Sequence, residues 1–216
     1  MKLKIWIGSI LFVIFFFSLT FLSYAQSNFE GEVTFKVTDD DGSTQTMNYF
    51  VKGDKIRFDT KEEGHGGQII WDTATRQFMV VMPEQKMYMV MKAPDSKMDI
   101  PESIDKNTKF TKTGETKKIL GYTAEKFLYK DNEDQGEVWL TQELGSFKLF
   151  NNPMQKGENM PQWQKDFNAA GYFPLEVTEN GKKVFEIIGI NKKPLDASMF
   201  EAPSDYKKME MPMMQQ

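Results

Sequence analysis

The stretch from Gln68 to Lys92 constrains the fold of this chain more than any other part of the sequence. It contains three short runs rich in Ile, Val, Phe, Tyr and Met, separated by two polar turns, Asp72–Thr75 and Pro83–Gln85. Apolar runs of about four to seven residues bounded by turn residues are typical of neighbouring β-strands. We therefore predict a strand meander. Its last two strands are rich in sulfur: Met79, Met82, Met87, Met89 and Met91.

The alternation of apolar and polar residues recurs along the rest of the chain. Near the start, Val33, Phe35 and Val37 alternate with polar residues, which is the period of a strand with one buried face. Near the end, Asn180–Gly181 is the strongest hairpin signal in the sequence, because both residues tolerate the positive φ angles of a type I′ turn. These patterns predict about nine to eleven strands, mostly antiparallel.

Helices are few in this sequence. A helix is predicted from Pro161 to the residue before Gly171, where Trp163 and Phe167 share one face. A second helix of one or two turns is predicted over residues 194–200. We therefore predict a mainly β (α+β) fold, in which a curved antiparallel sheet is covered by one or two helices.

The N-terminus has the pattern of a secretory signal peptide. Lys2 and Lys4 precede an apolar run over residues 5–22, and Ser23-Tyr24-Ala25 offers small residues at a cleavage site. We predict cleavage after Ala25; the alternative is an uncleaved N-terminal membrane anchor. Both predict export to the periplasm or the extracellular space. The remainder is predicted to be one domain over residues 26–208 and a disordered, Met-rich tail over residues 209–216.

The composition argues against most enzyme classes. The chain has no cysteine and a single histidine, His65, which lies in a glycine-rich loop, and it lacks the common nucleotide-binding and hydrolase motifs. Asp131, Glu133 and Gln135 begin like a calcium loop, but Gln142 stands where a closing glutamate belongs. We therefore predict a non-enzymatic protein without a cofactor. The acidic balance, 31 Asp and Glu against 27 Lys and Arg, predicts no nucleic-acid partner.

The order of short motifs along the chain resembles a known family. The motifs are FEGEVTF, GDKIRFD, IIWD with MPEQKMYMV, GYTAEKF, EVWLTQELG, GYFPLEVT and ASMFEAPSDYKKM. They resemble a secreted domain-of-unknown-function family of Gram-negative bacteria that is related in fold to the LolA/LolB-type periplasmic lipoprotein carriers. This resemblance covers the chain from Phe29 to about Lys208.

The resemblance implies a strongly curved, unclosed β-barrel whose concave face holds an apolar ligand such as an acyl chain. In GDKIRFD, Arg57 is the candidate for the arginine that helps to hold the ligand state in the carriers. The implied function is a carrier for an apolar or amphipathic, lipid-like molecule. We expect a monomer with peripheral contact to the envelope membrane.

Eight apolar side chains are the candidates for lining such a ligand site, although the alternation does not indicate which face of each strand is inward. They are Phe78, Val80, Met82, Met87, Met89, Met91, Trp163 and Phe167.

Two alternatives remain open at this point. Thioether sulfur is a soft ligand that selects Cu(I), and Met87, Met89 and Met91 point to the same side of an extended strand. In this first alternative, the chain is a Cu(I)-binding envelope protein. Alternatively, the domain has a structural or interaction role and its concave face is filled by its own side chains.

Overall fold

The computed structural model describes residues 29–39, 41–60, 66–92, 108–132, 134–147 and 162–210, which form twelve strands and one α-helix. In chain order the strands are β1 (Gly31–Thr38), β2 (Thr44–Lys52), β3 (Lys55–Thr60), β4 (Gly67–Asp72), β5 (Gln77–Met82), β6 (Met87–Lys92), β7 (Lys109–Ile119), β8 (Tyr122–Lys130), β9 (Gln135–Thr141), β10 (Phe173–Glu179), β11 (Lys182–Lys192) and β12 (Lys207–Lys208). Helix α1 (Gln162–Ala170) lies between β9 and β10, and a 3-10 turn, Ala197–Phe200, precedes β12.

All twelve strands belong to one sheet, in the order β12-β6-β5-β4-β3-β2-β1-β11-β10-β9-β8-β7. Neighbouring strands are antiparallel, except that β12 runs parallel to β6. The sheet is curved, and it is unclosed because its two edge strands, β7 and β12, do not pair with each other within the described residues. The predicted mainly β class is therefore confirmed. The strand count exceeds the prediction by the short β12, which is too brief to show any periodicity.

The predicted Asn180–Gly181 hairpin is confirmed by its backbone angles. Asn180 has a φ of 48° and Gly181 a φ of 82°, so both residues occupy the left-handed region that a type I′ turn requires. The turn joins β10 to β11, which pair as antiparallel neighbours.

The pairing from β1 to β6 runs without a register shift. Shifts occur instead on the other side of β1, between β1 and β11, between β10 and its two neighbours, and between β7 and β8. Directly opposite residues of an antiparallel pair share a face, so the unshifted half sorts its side chains cleanly onto two faces. One row on one of these faces crosses all six strands: Val33, Tyr49, Phe58, Ile69, Val80 and Met89.

The first and largest cluster of buried side chains lies on the face of this row. Tyr49 is fully buried and stacks between Phe58 and Phe147, at centroid distances of 5.1 and 5.3 Å. Phe147 in turn contacts Phe173 of β10 at 4.8 Å. Each such aromatic side chain contributes about 1.5–3 kcal/mol by its burial, so this cluster is a main source of stability.

Two smaller clusters complete the core. The second packs Phe50, Ile70 and Val81 of the sheet against Leu195 and Phe200 of the C-terminal segment, residues 193–210. The third packs α1 against the strands at the β7 end, and its buried members are Phe127, Val138, Leu140, Phe167 and Tyr172.

The predicted helices are present, with small differences. The described part of α1 begins at Gln162, and Pro161 lies outside the described residues. The second predicted helix, over residues 194–200, is only the 3-10 turn. Its N-cap is Asp196, whose carboxylate accepts a hydrogen bond from the backbone N–H of Ser198 at 2.8 Å.

Several sequence predictions fall on residues outside the described ranges. They are the signal segment of residues 1–25, the loop that holds His65, and tail residues 211–216. Met209, the first residue of the predicted tail, donates its backbone N–H to the carbonyl oxygen of Tyr88 at 2.7 Å. Among the described residues, no helix has the length and apolar character needed to span a membrane.

Gly136 in β9 has no room for a side chain. A Cβ atom at this position would lie 2.0 Å from the carbonyl oxygen of Thr178 and 2.8 Å from the ring of Tyr129. We expect Gly136→Ala to lower the free energy of unfolding by about 1–3 kcal/mol, because the neighbouring strand and ring must move apart. Urea denaturation measures this change.

Gly189→Ala in β11 is the matched control. A Cβ atom there meets Thr34 at 3.6 Å, which is ordinary van der Waals contact. We expect its stability to stay within about 1 kcal/mol of the parent protein. Equal losses in the two variants, or no loss in Gly136→Ala, would contradict the packing described for β9.

Candidate ligand-binding face

The register of β5 and β6 brings six of the predicted site residues onto one face. Three pairs stand directly opposite one another: Phe78 with Met91, Val80 with Met89, and Met82 with Met87. All six side chains are half-buried. We call this group the β5–β6 face. The register thus shows which side chains of β5 and β6 lie on the same side of the sheet.

The β5–β6 face continues the surface of the first core cluster. In β4, Ile69 stands opposite Val80 and Trp71 stands opposite Phe78. Both β4 side chains pack against the first cluster, and Trp71 contacts the ring of Phe58 at a centroid distance of 6.1 Å. The apolar surface therefore passes without interruption from the buried core to the half-buried side chains of β5 and β6.

The opposite side of the same strands is covered by the C-terminal segment of the chain. Met79 and Tyr88 alternate with the residues of the β5–β6 face, and both pack against the second cluster. Leu195 and Phe200 are buried members of that cluster. We call this side the covered face.

Arg57 holds the C-terminal segment on the covered face. It pairs with Phe50 and Ile70 across the strands, so its side chain lies on the side of the second cluster. Its guanidinium donates to both carboxylate oxygens of Asp59, at 2.6 and 2.9 Å, and to the carbonyl oxygen of Met199 at 3.0 Å. Arg57, the candidate for the arginine that helps to hold the ligand state in the carriers, thus lies on the side of the sheet opposite the β5–β6 face.

A second attachment lies at the other end of the segment. The ammonium of Lys52 donates to Glu30 at 2.7 Å and to the carbonyl oxygen of Leu195 at 2.8 Å. The backbone N–H of Leu195 donates to the same Glu30 oxygen at 2.8 Å. This N–H, followed by Lys52, lowers the pKa of Glu30 below its ordinary value. The carboxylate therefore stays ionised at neutral pH and ties β1, β2 and the segment together.

Trp163 and Phe167, the other two predicted site residues, belong to the third cluster. Trp163 contacts Phe110 at a centroid distance of 5.1 Å. Phe167 contacts Phe110 at 4.9 Å and Phe127 at 5.4 Å. Both side chains pack against β7 and β8, which lie at the opposite end of the strand order from β5 and β6.

The titratable groups near the third cluster are engaged with one another. Glu125 accepts hydrogen bonds from Lys112 at 2.8 Å and from the hydroxyl of Tyr172 at 2.7 Å. The Lys112 hydrogen bond is the main cause that lowers the pKa of Glu125. Burial raises the pKa of Tyr172, and the hydrogen bond to Glu125 raises it further. This arrangement leaves Glu125 as a paired anion and Tyr172 as a hydrogen-bond donor, which stabilises the packing of β7 and β8.

The described residues contain no group of three or more His, Cys, Asp or Glu side chains placed to hold a metal ion. In the segment that begins like a calcium loop, the backbone N–H of Asp134 donates to the carboxylate of Asp131 at 2.8 Å, and Glu133 lies outside the described residues.

The family described as "Domain of unknown function (DUF4412)" matches residues 29–206. The curated proteins include no match to the sequence. The crystal structure of an uncharacterized conserved protein from Thermus thermophilus is 9% identical, with a TM-score of 0.49 over 85% of this chain and 91% of that chain.

Two structures of PNGF-II, in the C2 and P21 space groups, are each 18% identical to this chain. Their TM-scores are 0.43 and 0.41, and the matches cover 83% and 79% of this chain. The chain spans 30% of the length of each PNGF-II chain. At these scores the likenesses carry no argument about function.

Replacing Arg57 tests the attachment of the C-terminal segment. Arg57→Met leaves Asp59 and the Met199 carbonyl without this donor, so we expect the free energy of unfolding to fall by about 1–3 kcal/mol. Hydrogen exchange should quicken most at the backbone amides of Lys207 and Met209, which bond to β6.

Lys55→Met is the matched control, because Lys55 lies on the same strand and side but makes no ion pair within the described part of the chain. Lys55→Met should change neither the free energy of unfolding nor the hydrogen exchange at Lys207 and Met209. Unchanged exchange at Lys207 and Met209 in Arg57→Met would show that Arg57 does not hold the segment.

Proposed function

Because the chain belongs to the DUF4412 family, whose description states no activity, we propose a function from its own residues. The proposed function is non-enzymatic binding or carriage of an apolar or amphipathic, lipid-like molecule on the β5–β6 face. The observation that carries this proposal is the gathering of six half-buried apolar side chains on one side of two neighbouring strands.

The placement of this face relative to the core supports the proposal. Val80 and Phe78 adjoin Ile69 and Trp71, which pack on the first cluster, so a bound alkyl chain would extend an existing apolar surface. The other side of β5 and β6 is covered by the chain's own C-terminal segment. A ligand on the β5–β6 face would therefore complete the burial of these strands on their second side.

The mechanism of binding would be the removal of alkyl surface from water. Each buried methylene contributes about 0.8 kcal/mol, so a chain of about ten methylenes offers enough to exceed the costs of association. Methionine suits such a face because its unbranched, polarisable side chain adapts to ligands of different shape. Four of the six side chains on the face are methionines: Met82, Met87, Met89 and Met91.

A relationship to the LolA/LolB-type carriers is part of the proposal. The open, curved, antiparallel sheet with an apolar face agrees in class with what the sequence resemblance implies. We further propose that residues 1–25 direct the chain out of the cytoplasm, on the basis of their signal-peptide pattern. As the cargo we propose a fatty acyl chain, the simplest molecule with the required chemistry.

Direct binding assays test the proposal. Lipid extraction of the protein purified from its host, followed by mass spectrometry, should recover a bound acyl lipid. The delipidated protein should then take up a fluorescent fatty acid in titration. A protein that carries no lipid and takes up no fatty acid would overturn the proposal and favour a structural or interaction domain.

Two variants locate the site. The double variant Met89→Gln and Met91→Gln keeps the side-chain length but adds polar groups, so fatty-acid affinity should fall about tenfold or more, corresponding to about 1.4 kcal/mol. The matched control is Val90→Gln, on the same strand but the opposite side, where Val90 is already 37% exposed. It should bind as the parent does. Equal loss in both would place the ligand elsewhere.

A further inference from the structure

The C-terminal segment adds a methionine to one corner of the β5–β6 face. β12 runs parallel to β6 with Lys207 beside Met87. Two backbone hydrogen bonds fix this register: Lys207 donates to the carbonyl oxygen of Lys86 at 2.9 Å, and Met209 donates to that of Tyr88 at 2.7 Å. In a parallel pair this pattern aligns Met209 with Met89.

Four methionines therefore lie at this corner: one on β5, two on β6 and one directly after β12. Met82 of β5 stands opposite Met87 of β6, and Met89 of β6 is aligned with Met209 beyond β12. All four side chains are half-buried. We call this group the methionine corner.

The cross-strand arrangement brings thioethers closer than a single strand does. Residues two apart along one strand are spaced by about 7 Å, whereas directly opposite residues have Cβ atoms about 4.5–5.5 Å apart. The methionine side chain then has three rotatable bonds with which to bring its sulfur to a common point. Met87 and Met89 are one such step of about 7 Å apart along β6, whereas the set Met87, Met89 and Met91 spans two such steps, about 13 Å, on one strand.

The presence of four methionines at these positions calls for a physical explanation. Strand positions favour β-branched and aromatic side chains, which pack well on a pleated surface, and methionine is not among them. Thioether sulfur is a soft, neutral donor that selects Cu(I) over harder cations. The chain contains no cysteine, so methionine is its only sulfur ligand.

We propose that Met82, Met87, Met89 and Met209 form a thioether site for Cu(I). Lys207, exposed beside Met87, faces the same side, and its repulsion of the monovalent ion is weakened by water and salt. The site assigns a role to the C-terminal segment: its attachments through Arg57 and Leu195 position Met209 against β6. The site shares Met82, Met87 and Met89 with the face proposed to bind lipid, so the two ligands are tested separately below.

Anaerobic titration of the full chain with Cu(I), in competition with a chromophoric Cu(I) chelator, tests the site. We expect one Cu(I) per chain and an X-ray absorption spectrum with sulfur neighbours only. Each of Met82→Leu, Met87→Leu, Met89→Leu and Met209→Leu should weaken binding at least tenfold. Met91→Leu should have a smaller effect, because Met91 stands opposite Phe78.

Met79→Leu and Met199→Leu are the matched controls, since both methionines pack on the covered face. They should leave the affinity unchanged. No binding above that of the quadruple leucine variant, nitrogen or oxygen neighbours in the spectrum, or an unaltered affinity in Met209→Leu would overturn the proposal. Leucine keeps the corner apolar, so fatty-acid uptake by the quadruple variant reports on the lipid proposal separately.

Discussion

The unshifted antiparallel register from β1 to β6 is the constraint on which the rest of this structure depends. It carries one row of side chains from Val33 in β1 to Met89 in β6 without changing face. A single bulge within these strands would turn every residue beyond it to the other side. Because none occurs, the buried core and the half-buried β5–β6 face are two parts of one continuous apolar surface.

The two sides of the sheet differ over strands β1 to β6. One side is closed by the C-terminal segment, which is held by hydrogen bonds from Arg57 to the Met199 carbonyl and by the Glu30–Lys52 pair around Leu195. Closing that side uses the segment's own apolar residues, Leu195 and Phe200. The β5–β6 face on the other side is where we propose that a ligand binds, whether an alkyl chain or a soft metal ion.

Much of this arrangement follows from short-range signals in the sequence. The existence of the β5–β6 hairpin follows from the turn signal, but its pairs depend on the turn length. A turn of three residues, Pro83–Gln85, would place Met82 opposite Lys86, whereas the actual turn includes Lys86 and places Met82 opposite Met87. Likewise, the predicted turn Asp72–Thr75 would place Trp71 opposite Arg76, whereas the structure has Trp71 opposite Phe78. Long-range features are different. No local pattern indicates that Lys207 joins β6, or that Trp163 packs near Phe110 at the other end of the strand order, because both depend on how distant segments meet.

Methionine methyl NMR tests the central claim, that the β5–β6 face and not the covered face receives a ligand. Carbon-13-labelled methyl groups of Met82, Met89 and Met91 report on the first, and those of Met79 and Met199 report on the second. On titration with a fatty acid, we predict saturable shifts in the first group and none in the second. Shifts confined to Met79 and Met199, or no shifts in either group, would contradict this account.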